Sequence, residues 1–204
     1  MARNSYQPRS HMRERITQLA ARLMAEDGVD DFALAKRKAA RQLGAIDTQN
    51  LPNNSEIEQA LREYHALYQH DELRSRLREL REQAIRVMRE FAPFDPHLTG
   101  SVLVGTATRY SDINLLLFTD SPKEVELFLL NRNLLFKSGE KRYRFSDGVR
   151  SVPVLTLTES GGADVSAAIF STQDLKHMPL SPVDGRAMEK ARLPEVEALL
   201  AVDL

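Results

Sequence analysis

Leu98-Thr-Gly-Ser-Val-Leu-Val-Gly-Thr-Ala-Thr-Arg-Tyr-Ser-Asp-Ile-Asn-Leu-Leu-Leu-Phe118 sets two apolar runs on either side of a polar, turn-forming stretch. Leu98–Val104 and Ile113–Phe118 read as strands, because short apolar runs bounded by Gly, Ser and Asp fit buried β-structure. Side chains alternate along a strand, so Asp112 and Asn114 face the same way. Gly100-Ser101 beside them would present bare backbone N–H groups and a hydroxyl, a cradle for phosphate oxygens. A phosphate grip next to a pair of oxygen ligands is the chemistry this spacing suggests.

The regions on either side differ in kind. Before Pro96 the pattern is helical. Ile16, Leu19, Ala20, Leu23 and Met24 share one helix face up to Gly28, and a second helix runs from about Phe32 to Leu43. Ala45–Asn54 reads as a loop. Ser55 with Glu58 forms a capping-box signature for a third helix carrying Ile57, Leu61, Tyr64 and Leu67. Leu73, Leu77, Leu80, Ala84, Val87 and Phe91 make one seam along a fourth helix, expected to pack on the first three. Residues 1 to about 11 read as a frayed tail. After Pro96, Ser121, Pro122 and Glu124 start a helix to about Arg132. Leu134–Phe136, Arg142–Phe145, Val149–Thr158 and Val165–Phe170 read as strands, with Asp147-Gly148 as a hairpin turn. Residues 171–178 suggest a helical turn, and Pro194–Leu200 a short final helix. The fold class expected is α+β: a helical module over 1–95, a mixed-sheet α/β core over 96–178 and a tail over 179–204.

Gly-Ser, ten intervening residues and then Asp-x-Asp or Asp-x-Glu between apolar flanks is the signature that this stretch resembles. It belongs to the nucleotidyltransferase superfamily typified by DNA polymerase beta, which includes aminoglycoside nucleotidyltransferases and toxin–antitoxin partners. The resemblance covers about residues 97–170. It implies transfer of a nucleoside monophosphate from an Mg²⁺-bound NTP to a hydroxyl or similar acceptor that the sequence does not identify. It further implies that Ser101 and Gly100 hold phosphate, that Asp112 is a catalytic metal ligand, and that a third carboxylate sits on a later strand. Asp164, at the start of Val165–Phe170 and on the face of Ser166, is the residue for that role. Asn114 departs from the pattern, an amide where the family carries a charge. At about 4 Å each missing unit charge is worth ~4 kcal/mol in a partly screened site, so Mg²⁺ would be held weakly, with Asn114 a poor metal ligand. Arg109 is a further phosphate-binding candidate; its alternative is a solvated loop side chain.

Composition sets the outer bounds. The 204 residues carry 28 Lys+Arg against 29 Asp+Glu, a net charge of −1 that gives no support to nucleic acid or an anionic membrane as partner. No cysteine is present, which removes disulfides, thiolate metal sites and a Cys nucleophile. The chain lacks a run of about 20 apolar residues and an apolar signal region, so a cytoplasmic protein is expected. No Gly-x-x-x-x-Gly-Lys-Ser/Thr loop, dinucleotide fingerprint or His-Glu-x-x-His pair occurs. Lys137, Lys141, Arg142 and Arg144 could flank an acidic substrate, though solvent alone selects such alternation. Arg15–Leu43 loosely resembles the start of a TetR-type helix–turn–helix, but the Asn/Pro loop stands where a recognition helix belongs. The contrasting function is a non-catalytic interaction protein that binds a protein or nucleic-acid partner through its helices.

Overall fold

The computed structural model describes residues 7–29, 31–45, 51–68, 70–158 and 162–202, with side chains except at 7–10, 66–73 and 202. Two compact units are present: Met1–Leu73 with Pro182–Asp184, and Arg74–Ser181 with Gly185–Leu204.

Among the described residues the first unit is built on α1 (Gln7–Asp27), α2 (Phe32–Gln42) and α3 (Asn54–Tyr68). Their core joins Ile16, Ala20, Leu23 and Met24 to Ala35, Ala39, Ile57 and Leu61. Alanines at the crossing points let backbones approach closely while burying apolar area. The expected tail is corrected in part. Helix α1 begins at Gln7, since Pro8 falls in the first turn, where a missing N–H costs nothing; residues 1–6 lie outside the described residues. Gly28, at φ +69°, then stops the helix. The capping box at the start of α3 is also corrected. Asn53, not Ser55, caps it: the Glu56 N–H donates to Asn53 Oδ1 at 2.8 Å, and the Asn53 N–H donates to Glu56 Oε2 at 2.7 Å. Arg13 of α1 grips the same carboxylate, Nε to Oε1 at 2.9 Å and Nη2 to Oε2 at 2.5 Å, so Glu56 ties two helices together. Glu58 pairs with Arg62 instead.

The second unit is a five-stranded mixed sheet with helices against it. Its strands are β1 (His97–Thr99), β2 (Ile113–Phe118), β3 (Phe136–Phe145), β4 (Gly148–Leu157) and β5 (Val165–Phe170). Their order is β1-β2-β5-β4-β3, with β2 and β5 parallel and the other neighbours antiparallel. One face carries Ile113, Leu115, Leu117, Leu155, Val165, Ala167 and Ile169. It packs under α4 (His70–Glu90), α6 (Pro122–Asn131) and α7 (Leu193–Val202). Leu80, Ala84, Val87 and Met88 of α4, with Phe91 just after it, lie in this core, correcting the expectation that the seam closes on the first three helices. Periodicity marks a buried face but not its partner, and the apolar run Ile113–Phe118 competes for that partner as well as any helix does. The opposite face holds Leu116, Phe118, Phe145, Val152, Val154, Ala168 and Phe170 beneath Leu175, Met178 and Met188. Among the described residues no helix is long and apolar enough to cross a membrane.

Three strand readings change. The Leu98–Val104 strand ends at Thr99, and Ser101–Val104 is a helical turn, α5. A short Val-Leu-Val run cannot declare its own type. Leu134 and Leu135 precede β3, which runs unbroken through the polar 137–142 because every residue pairs with β4, from Phe136↔Leu157 to Phe145↔Gly148. The hairpin tip moves back one residue, to Ser146-Asp147.

At the start of β1, His97 is 2% exposed. Its Nδ1 meets the Asp95 carbonyl at 2.9 Å and its Nε2 accepts from Arg192 Nε at 3.2 Å. Burial holds its pKa below the ordinary histidine value, opposed by the Asp95 hydrogen bond and charge, with Lys190 and Arg192 lowering it further. The unfolded chain therefore binds the extra proton more readily. Stability from this site is full above about pH 6.5 and falls as pH drops through that value. Glu56, held below the carboxylate range chiefly by Arg13, adds a second loss of the same sign below about pH 4.3. Urea midpoints measured from pH 8 to pH 3 should decline in these two windows and stay flat between pH 7 and 8.

Candidate functional site

Three segments converge at one end of the second sheet face. The first is the turn after β1. Gly100 has φ +76° and ψ −158°, a region open essentially to glycine alone. A Cβ there would also lie 3.4 Å from Asn114 Nδ2. Glycine thus lets the backbone leave the sheet directly over the Asn114 side chain. Gly100→Ala should cost about 1–3 kcal/mol by urea denaturation, whereas Gly44→Ala, with empty space around it, should show backbone strain only.

The second segment is the loop Gly105–Asp112. The Ser101 hydroxyl lies 3.3 Å from that of Ser111, which also accepts the Thr108 N–H at 2.9 Å. Tyr110 N–H donates to Thr108 Oγ1, so Thr108 and Ser111 close the Thr106–Tyr110 turn between them. Ser101, ten residues earlier, is thereby held against the residue next to Asp112. Arg109 sits at the exposed tip of this turn with its guanidinium 4.8 Å from the Tyr110 ring centre, a cation–π contact.

The third segment is the start of β5. The register pairs Ile113 with Val165 and Asn114 with Ser166, and the Ile113 N–H donates to the Asp164 carbonyl at 2.9 Å. Parallel strands in register put paired residues on one face, and Asp112 and Asp164 are the residues immediately before the first pair, Ile113↔Val165. Asp112 is exposed, and Asn114, Asp164 and Ser101 are half-buried. The Asn114 amide also reaches back to the Asp112 carbonyl at 3.4 Å.

A polar row crosses the sheet beside these acids: Thr99, Asn114, Ser166, Thr156 and Lys137 are consecutive cross-strand partners. The next row inward contains Leu116, Ala168 and Val154, all buried. The hydroxyls and amide therefore mark where the apolar face stops. Further along that face burial pushes the Tyr143 hydroxyl up to about 12, so it stays protonated at neutral pH. Sequence reasoning missed Ser111 and Thr156, and named Ser166 only as a neighbour of Asp164. The signal was a lone polar residue inside an apolar run, as in Ile113-Asn-Leu and Val165-Ser-Ala. Among the described residues no group of three or more His, Cys, Asp or Glu side chains is placed to hold a metal. The oxygen donors here are two carboxylates, one amide and hydroxyls.

No protein-family model matches the chain, and no curated protein matches it. Among solved structures it resembles a cytoplasmic RNA terminal U-transferase, at 15% identity and TM-score 0.34 over 57% of this chain and 34% of that one. It also resembles the GLD-2/RNP-8 complex, at 20% identity and TM-score 0.32 over 58% of this chain and 48% of that one. The chain thus spans between a third and a half of the length of these two. Likeness at this level leaves the chemistry of the site to its own residues.

Proposed function

We propose that this end of the sheet binds a nucleoside triphosphate through one divalent cation, as a nucleotidyltransferase-like site without a full second metal position. The observation that carries the proposal is the in-register parallel pairing of β2 with β5 from Ile113↔Val165 onward, which leaves Asp112 and Asp164 as the residues just ahead of the two paired strands and Asn114 opposite Ser166. Hard cations take oxygen ligands, and these residues fit one such ion: Asp112 and Asp164 would hold it, with the Asn114 carbonyl as a weaker third donor. Mg²⁺ bound there would neutralise phosphate charge. Two adjacent ions do not fit. Asn114 and its cross-strand partner Ser166 are neutral, leaving at most two protein charges where two-metal phosphoryl transfer needs closely spaced carboxylates around both ions.

The remaining parts suit the same ligand. Gly100 brings bare backbone to the site, and the Ser101 hydroxyl, which donates to Ser111 without ligand, would turn to a phosphate oxygen. Transfer to an acceptor hydroxyl should be slow in the native chain, because the charge that would draw a proton from that hydroxyl is missing at 114.

Thermal unfolding with Mg²⁺ and each of the four common NTPs tests this. A ligand at a hundred times its dissociation constant stabilises by about 2.7 kcal/mol, a shift of several degrees for a protein of this size. The shift should require both Mg²⁺ and nucleotide. A cooperative transition unmoved by every nucleotide would remove the proposal.

A further inference from the structure

We infer that Arg81 and Gln83 of α4 are positioning residues for this site, each gripping the backbone next to one half of it. The inference rests on the site reading above and assigns a task to two polar side chains that interrupt an otherwise apolar seam.

Arg81 is 5% exposed and Gln83 4%, although neighbouring Leu80 and Ala84 are core residues. A buried polar group is tolerated only when its hydrogen bonds are made. Gln83 uses both ends of its amide on a single residue. Its Nε2–H donates to the Ala163 carbonyl at 2.8 Å, and its Oε1 accepts the Ala163 N–H at 3.0 Å. That is the pattern a neighbouring strand would make, delivered by a side chain to the residue immediately before Asp164. Gly162 makes room for it, since a Cβ there would fall 2.7 Å from Gln83 Nε2. Arg81 acts on the other half. Its Nε donates to the Val102 carbonyl and its Nη2 to the Leu103 carbonyl, both at 3.2 Å. These are carbonyls at the end of α5, whose one turn leaves them without helical partners, and α5 begins at Ser101. One rigid helix therefore holds the Ser101 turn and the Asp164 strand start at a fixed separation.

A ligand bound between two segments feels an error in either, so loosening a clamp should weaken binding beyond any loss of stability. The arrangement also makes Gln83 and Gly162 a coupled pair: each change breaks the same two hydrogen bonds, so their effects on binding should not add.

The test measures Mg²⁺-dependent NTP binding by equilibrium dialysis, with unfolding curves recorded in parallel, for the native chain, Gln83→Leu, Gly162→Ala and the double variant. Gln83→Glu serves as the partial rescue, because it keeps an acceptor for the Ala163 N–H. The expected result is a tenfold or greater loss of affinity in each single variant at a temperature where it remains folded. The double variant should be no worse than the weaker single, and Gln83→Glu should fall between native and Gln83→Leu. If Gln83→Leu fails to fold, Gly162→Ala and Gln83→Glu carry the comparison. Native-like affinity in folded variants, or losses that simply add, would overturn the positioning role while leaving the site reading intact. A native chain that binds no nucleotide removes the site reading, and this inference with it.

Discussion

Asp112→Ala is expected to weaken Mg²⁺-dependent nucleotide binding about a thousandfold while leaving the fold intact. A single charge at about 4 Å from a divalent ion is worth ~8 kcal/mol at an effective dielectric of 20. Asp112 is exposed, and solvent screening reduces that to roughly half, ~4 kcal/mol, or about three decades in affinity. Exposure also means little packing is lost, so stability without ligand should fall by at most about 1 kcal/mol. Calorimetric titration with and without Mg²⁺ separates the cases. A variant that binds as the native chain does would show that Asp112 is not the metal ligand. One that loses binding only because it unfolds would show a structural role instead.

The second large effect runs in the opposite direction. Asn114→Asp should tighten the divalent cation about a hundredfold and raise any transfer of nucleoside monophosphate. Asn114 is half-buried, lies on the Asp112 face and shares its cross-strand level with Ser166 and Thr99. A carboxylate in that position adds a charge near the cation. Part of the gain is cancelled by repulsion among three acids before the ion arrives, which leaves about 2–3 kcal/mol from the ~8 kcal/mol available. The same repulsion should destabilise the cation-free variant, so its midpoint should fall without Mg²⁺ and recover with it. Labelled-nucleotide transfer and Mg²⁺ titration read both consequences. A variant no better than the native chain in affinity and in transfer would place Asn114 away from the ion.

How much of this was legible in the sequence follows the range over which each cause acts. Local chemistry was readable. Gly28 ends α1, Ser121 and Pro122 start α6, and the apolar runs Ile113–Phe118 and Val165–Phe170 are strands with those limits. The α+β class follows from such pieces. Gly100-Ser101 was recognised as a turn, but not as the start of a helical turn, because only coordinates reveal φ +76° at Gly100. Long-range pairing was not readable. The register that pairs Ile113 with Val165 joins strands some fifty residues apart, and a shift of one residue would have turned every side chain of β5 to the other face. The polar β3 was recognised only in part, because its pairing with β4 rather than its own propensity makes it a strand. Nothing in the sequence singles out Arg81 and Gln83, for the same reason. Their partners, Val102, Leu103 and Ala163, are 21 to 80 positions away.

Paramagnetic broadening by Mn²⁺, read at low stoichiometry in an amide correlation spectrum, tests the site most directly. Signals from Gly100, Ser101, Asp112, Asn114, Asp164 and Ser166 should vanish first and together, and should return when Mg²⁺ competes. Broadening centred elsewhere on the sheet, or Asp112 and Asp164 responding at different Mn²⁺ concentrations, would contradict a shared cation between the two strand starts.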